Sequence, residues 1–310
     1  QYIKSLGKRI EQNFLRSYGN AKFDRVIQFC GYEDEMILLY SQFKGQKTIW
    51  VHNDMLAEIK TRSNQRKDLL EYAYHTYDNV VAVTDDIVAP TQILAGKDKK
   101  INIVKNTIDY KTILANSEQP IALDPTTKCS VEPEKFYEIM QSDAKKFINV
   151  GRYSPEKGHD RLIDAFYKLW QKDNSIYLII MGGNSRAKKY EELIEKVNEM
   201  GLSENVILLL SVSNPYPIIK ACDGFILSSL YEGFGLVLAE ADILGIPIVS
   251  TDITGPRTFM KKYGGTLIEN SDEGVYKGLQ MLYNGEIKPI NVDYEAYNQE
   301  CVAEFEKLFE

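Results

Sequence analysis

Short apolar runs rich in β-branched residues alternate along the chain with stretches whose apolar residues recur at helical spacing. In the first half the runs fall at 25–30, 48–52, 80–84 and 101–105, with helix-like segments near 33–43, 62–77 and 86–95 between them. In the second half they fall at 147–150, 176–181, 206–210, 224–228 and 246–250. The clearest helical stripe joins Leu162, Ile163, Phe166, Leu169 and Trp170. Strand, helix, strand at this rhythm predicts parallel sheets covered by helices on both faces.

The rhythm breaks between 108 and 145, where Pro120, Pro125 and Pro133 interrupt a weak apolar pattern. This stretch reads as a linker with a short helix near 134–141. The expected organisation is a first α/β domain over 1–145 that includes the linker, a second over 146–290, and a C-terminal helix over 291–310. Residues up to Gly19 read as helical or irregular. Two such domains would face one another across a cleft, and ligands of open parallel sheets lie beyond the carboxyl ends of the strands. Of the 20 glycines, five precede residue 146 and 15 follow it. Turns that admit phosphate oxygens need glycine, so the second domain is the expected phosphate-handling half.

Composition narrows the classes. With 44% hydrophobic and 26% charged residues over 310 positions, the chain has a globular balance. The net charge of −7 argues against general nucleic-acid binding, which needs a basic face. No window approaches the roughly 20 apolar residues of a membrane helix, and the amino end has no apolar signal core. Four cysteines without CxxC spacing and three histidines argue against a disulfide framework or structural zinc and for a reducing compartment.

Two constellations carry candidate chemistry. The first is Val150-Gly151-Arg152-Tyr153-Ser154-Pro155-Glu156-Lys157-Gly158, between a strand and a helix. Arg152 offers a planar fork of donors and Lys157 a mobile point charge, which suits a diphosphate. The plainer alternative is a solvated loop with two surface cations. The second runs from Ser228 to Glu240, where a strand enters a loop holding Gly233 and Gly235 and a helix begins at Leu236. Free amides at such a helix start form an anion site. Glu232 and Glu240 could accept from sugar hydroxyls. The alternatives are a plain glycine turn and a solvent-facing Glu240, although Leu238, Ala239, Ala241 and Ile243 around it are apolar. No Gly or Ala follows Gly235 by three, and no Gly-Lys-Ser/Thr ends the loop, so neither the dinucleotide fingerprint nor the Walker loop applies. His52 ends a strand, and a lone His there is more often structural. His75 reads as a helix residue and His159 as a helix-start residue.

Seven residues separate Glu232 from Glu240 in EGFGLVLAE; with VGRYSPEKG upstream and GIPIVSTDITGP downstream, the chain resembles family 4 retaining glycosyltransferases of GT-B fold. The likeness is strong over about 147–270 and weaker over about 24–109. It implies two Rossmann-like parallel-sheet domains facing a cleft. Arg152 and Lys157 would hold the diphosphate of a nucleotide sugar, and Glu240 the ribose. Glu232 would hold hydroxyls of the transferred sugar, near the backbone amides of Phe234, Gly235 and Leu236 and beside Gly233. His52, in Trp50-Val51-His52-Asn53-Asp54, would sit beside the donor sugar. Such enzymes need no metal or other cofactor and retain the anomeric configuration. The family's opening strand and glycine loop are absent here, so the resemblance implies a trimmed N-terminal domain or part of a larger polypeptide.

The expected activity is transfer of a hexose or N-acetylhexosamine, with UDP the favoured carrier, to a glycan or a bacterial cell-surface polymer. Binding of a nucleotide-sugar donor and a polymer acceptor is expected, nucleic-acid binding is not, and the oligomeric state is open. The expected location is cytoplasmic, with the inner membrane face as one option. A non-catalytic nucleotide-sugar-binding or assembly domain is the alternative. A glycoside hydrolase using Glu232 and Glu240 would have no use for the Arg/Lys pair.

Overall fold

The computed structural model describes Lys8, Gln12 and residues 23–41, 43–61, 66–183, 187–233 and 235–310. The expectations for the segment through Gly19 and for Phe234 lie outside the described residues. The chain divides into two compact units, Gln1–Thr107 with Asn298–Glu310, and Ile108–Tyr297.

The first unit holds a four-stranded parallel sheet, β1 (Arg25–Gln28), β2 (Gln46–Val51), β3 (Asn79–Ala82) and β4 (Ile101–Ile103), in sequence order. Ile49, Trp50 and Val51 are buried in succession, as are Val80, Val81 and Ala82. Continuous rather than alternating burial is the mark of a sheet covered on both faces. Ile37, Leu69, Leu70 and Tyr74 on the helices Asp34–Tyr40 and Lys67–Thr76 are part of the same core. The end of the last helix closes on this unit. Glu304 accepts from the Lys105 amide at 3.0 Å and pairs with the Lys105 ammonium.

The second unit holds seven strands: β5 (Lys128–Cys129), β6 (Lys146–Val150), β7 (Tyr177–Gly182), β8 (Val206–Leu210), β9 (Gly224–Leu227), β10 (Ile248–Thr251) and β11 (Thr266–Ile268). Their order is β11-β10-β9-β6-β7-β8-β5, all parallel except β5 against β8. From β6 the chain builds outward through β7 and β8, then returns to the other flank of β6 with β9. The direction of winding therefore reverses between β6 and β9, and ligands of open parallel sheets bind beyond the carboxyl ends of the strands at such a reversal. Leu162, Ile163, Phe166 and Leu169 of the helix His159–Trp170 are buried on this sheet, as their spacing predicts.

The division differs from the expected boundary at 145/146. Residues 108–145 are not an irregular linker but part of the second unit. They carry the helix Tyr110–Ser117, capped by Asp109 accepting from Thr112 N at 3.1 Å, and the helix Pro133–Gln141. β5 satisfies the outer edge of β8, and the adjoining Ser130 exchanges two bonds with Leu208, at 3.0 and 2.9 Å. The helix Tyr294–Lys307 crosses the division rather than standing apart. Its start is tied by Asp242, whose buried carboxylate accepts from Asn291 N at 2.8 Å, Val292 N at 3.0 Å and Tyr294 Oη at 2.9 Å. Among the described residues no helix is long and apolar enough to cross a membrane.

His159 is packed into this core, 1% exposed. Asn149 donates to Ile226 O at 2.6 Å, which leaves its Oδ1 to accept from His159 Nε2 at 3.1 Å. The imidazole is therefore neutral, with its pKa pushed down to about 3, first by burial and then by the Lys157 charge. In the unfolded chain the ring takes up a proton near 6.5. Between those values the unfolded state binds a proton that the folded state refuses, so this group lowers stability as pH falls, by up to about 1.4 kcal/mol per pH unit. In His159→Gln, which keeps a donor for Asn149, the urea-unfolding free energy should fall less steeply between pH 6 and 4.5 than in the native chain, by up to that amount. Parallel profiles would mean that the ring is not held neutral.

Candidate active site

Two loops meet at the reversal between β6 and β9. The first leaves β6 at Val150. Gly151 N still bonds Met181 O at 2.9 Å, so the strand pairing persists one residue further. A tight turn, Pro155–Lys157, then leads to Gly158, whose φ of +65° suits glycine. A Cβ on Gly158 would lie 2.2 Å from Ser228 O, the carbonyl that ends β9. The two loops thus touch backbone to backbone. Ser228 Oγ donates to Lys157 O at 3.0 Å, and Leu230 N to Glu156 O at 2.7 Å, closing the seam.

This seam brings Lys157 and Glu232 together. The Lys157 stem lies across Gly151, where a Cβ would come within 3.1 Å of its Cδ. Its ammonium donates to Glu232 Oε1, and Ser229 Oγ donates to the same oxygen at 2.8 Å. The two side chains are only 13% and 12% exposed. Arg152, by contrast, is 52% exposed, with its guanidinium 3.5 Å from Glu156 Oε1. The first loop thus provides one shielded cation, Lys157, and one exposed cation, Arg152.

Beyond Glu232 and Gly233, Gly235 takes a left-handed conformation at φ +74° and starts the helix Leu236–Ile243. First-turn amides such as those of Leu236 and Val237 have no intrahelical acceptor and carry the positive end of the helix dipole. Glu240 lies just over a turn further on and is half-buried. Burial alone pushes its pKa up, with no hydrogen-bond donor among the described residues to offset it. The Tyr216 phenol is raised by burial and then by the charge of Glu240 and of Asp109. Glu240 therefore bears its burial uncompensated, unlike Asp242 two residues on.

His52 stands in the first unit, at the carboxyl end of β2. A carbonyl can only accept, so His52 Nε2–H donates to Phe29 O at 2.8 Å. The ring meets the Phe29 ring edge-on at 4.6 Å. Burial lowers its pKa, so the ring is neutral at pH 7 and Nδ1 is an acceptor. His75 donates Nδ1–H to Glu71 O at 2.7 Å within its own helix.

Of the residues singled out in the sequence, the structure joins Lys157 to Glu232, starts the next helix at Gly235 with Glu240 on it, and leaves Arg152 exposed on the first loop. The sequence patterns did not indicate Glu156, Ser229, Arg161 or Asn270. Arg161 sends Nε to Ser228 O at 2.9 Å and Nη2 to Ser228 O, Ser229 O and Asn270 Oδ1 at 2.6, 2.8 and 2.8 Å. Asn270 Nδ2 donates to Leu230 O at 3.1 Å.

The family model described as glycosyl transferases group 1 matches residues 131–299. An uncharacterized glycosyltransferase of Methanocaldococcus jannaschii is 33% identical over 233 residues, covering 73% of this chain and 54% of that relative. The chain thus spans about half the length of that relative. The N-acetylgalactosamine-N,N'-diacetylbacillosaminyl-diphospho-undecaprenol 4-alpha-N-acetylgalactosaminyltransferase of Campylobacter jejuni is 27% identical over 282 residues, covering 84% of this chain and 70% of the relative. Among solved structures, Anabaena HepE in complex with UDP superposes with a TM-score of 0.72 at 15% identity, over 97% of this chain and 80% of that one. At that identity the likeness establishes a common fold of parallel-sheet units.

The seam itself can be tested. Gly158→Ala must relieve both a left-handed φ and a backbone clash, whereas Gly201→Ala has φ +69° but nothing within 4 Å. The second change should cost about 1–2 kcal/mol and the first clearly more, as read from urea midpoints. Equal losses would mean that the loops are not in backbone contact.

Proposed function

Because the chain belongs to the glycosyl transferases group 1 family, we propose that it transfers a hexose or N-acetylhexosamine from a nucleotide diphosphate sugar, UDP favoured, to a glycan or cell-surface polymer, with retention and without a metal ion. The observation that carries this reading is the shielded Lys157–Glu232 pair, with Ser229 on the same oxygen, beside the glycine-started helix that bears Glu240. The UDP complex of HepE and the polyprenyl-linked acceptor in the name of the Campylobacter relative support the donor and acceptor classes.

In this reading the diphosphate lies against Lys157, Arg152 and the amides at Leu236 and Val237. These groups stabilise the charge that builds on the leaving phosphate as the bond from sugar C1 to its oxygen breaks. The acceptor hydroxyl forms the new bond on the face the diphosphate leaves, and its proton passes to the departing phosphate oxygen. Glu232 accepts from hydroxyls of the transferred sugar while Lys157 turns from it to phosphate. Glu240 accepts from the ribose. His52 offers Nδ1 to a sugar hydroxyl, and its neutrality keeps that lone pair open. Orientation rather than covalent chemistry carries the reaction.

The two glutamates should separate by ligand. Hydrogen bonds to a charged group contribute about 1.5–3 kcal/mol, roughly tenfold to 150-fold in binding. Glu240→Gln should weaken bare UDP by that order. Glu232→Gln frees Lys157 and should leave UDP no weaker than in the native chain, while losing affinity or rate with the sugar nucleotide. Calorimetric titration of both variants with both ligands at one salt concentration decides this. Equal weakening of bare UDP by the two changes would overturn the assignment of separate roles.

The sequence contains no Asp-X-Asp motif. A thermal shift produced by UDP, about 2.7 kcal/mol of stabilisation at 100 dissociation constants, should therefore survive EDTA. Its loss on chelation would call for a metal-dependent site. If UDP binds but neither hydrolysis nor transfer follows, the chain is a nucleotide-sugar-binding module rather than a transferase.

A further inference from the structure

Arg161 lies on the helix after the first donor loop, yet every hydrogen bond described for it runs to the second loop or to the residue bracing that loop. Its fork takes the carbonyls of Ser228 and Ser229, and its contact with Asn270 orients an amide that takes the carbonyl of Leu230. Of the three successive carbonyls between the end of β9 and Glu232, one guanidinium thus holds two directly and the third through Asn270. The remaining freedom of the segment is removed from two sides. Leu230 N is bound by Glu156 O at 2.7 Å, and Thr251 Oγ1 donates to Ser229 O at 2.8 Å. Glu232 follows two residues beyond this braced stretch and accepts from Ser229 Oγ.

We infer that Arg161 is a positioning residue for the donor sugar, acting through the 228–230 backbone to hold Glu232 where it meets both Lys157 and the sugar hydroxyls. The sugar role rests on the transferase reading above; the bracing of the loop does not. A planar fork with two donor directions suits adjacent carbonyls, and a lysine ammonium cannot hold both with the same geometry. Half-buried and charged, the guanidinium also fixes these carbonyl dipoles, so the loop carries a set orientation before any ligand arrives. The glycine at 158 is part of the same device, because a Cβ there would stand 2.8 Å from Arg161 Nε.

The test is Arg161→Lys, with Asn270→Ala as an independent lesion of the same brace. Hydrogen–deuterium exchange of ligand-free protein reads the loop directly. Amides over 229–233 should exchange at least tenfold faster in both variants, while those of the helices His159–Trp170 and Leu236–Ile243 keep their native rates. With ligand, bare UDP should bind within about twofold of the native affinity, whereas turnover of the sugar nucleotide should fall ten- to a hundredfold per folded molecule. A merely structural Arg161 would lower the melting temperature and leave turnover per folded molecule unchanged. Native protection over 229–233 in Arg161→Lys would overturn the inference, as would loss of UDP binding equal to the loss of turnover. If the native chain itself fails to bind UDP, the transferase reading falls, and the exchange experiment still decides whether Arg161 holds the loop.

Discussion

A side chain at position 158 would collide with the carbonyl that ends β9, so the loops after β6 and β9 can meet only through a glycine. The bonding between the two loops follows from that approach. It lets Ser228 bond the Lys157 carbonyl, puts Arg161 within reach of the 228–229 backbone, and closes Lys157 on Glu232. A shielded ion pair of this kind is seldom a net source of stability, because removing two charges from water costs about as much as their attraction returns. Its value lies elsewhere. In the proposed transferase a cation and a carboxylate would be held ready in a shielded place, where each would act strongly on a ligand that replaced its partner.

The helix Leu236–Ile243 carries two carboxylates with opposite fates. Asp242 is saturated by two amides and a phenol and anchors the segment that starts the last helix. Glu240, two residues earlier, is half-buried with no hydrogen-bond donor among the described residues to offset the burial. A carboxylate that spends its lone pairs on its own backbone is architecture. One that keeps them can still accept from another partner, and burial alone raises its pKa. The histidines divide in a comparable way. Both His52 and His159 are neutral, but His159 is sealed inside the core while His52 sits at a strand end with Nδ1 as acceptor.

Most of the sheet was legible because buried parallel strands read as unbroken β-branched runs, and nine of the eleven strands among the described residues overlap such runs. The two missed are short. β5 has only Lys128 and Cys129, too few for any periodicity, and β11 follows the Gly264-Gly265 pair. The segment 108–145 misled because prolines and weak amphipathicity look alike in a linker and in short helices docked on a larger body. In the site, Lys157, Glu232 and Glu240 were legible from glycine punctuation and charge at strand ends. Arg161 was not, since on its helix it reads as one more cation on the polar face. Its partners are backbone carbonyls 67 and 68 positions away, and a carbonyl has no letter in the sequence.

The placement of β6 between β7 and β9 has a consequence for synthesis. β7 and β8 follow within one stretch of chain, but β9 is made only after 73 further residues separate Val150 from Gly224. While the nascent polypeptide is shorter than that, one edge of β6 has no neighbour and the amide of Asn149 lacks the Ile226 carbonyl. The emerging unit therefore passes through a half-sheet with an open parallel edge, the kind of surface that aggregates or recruits chaperones. Pairing of β9 with β6, once β9 has emerged, closes that edge, and the same event joins the two loops. The seam between the loops therefore forms before β10, β11 and the last helix complete the fold.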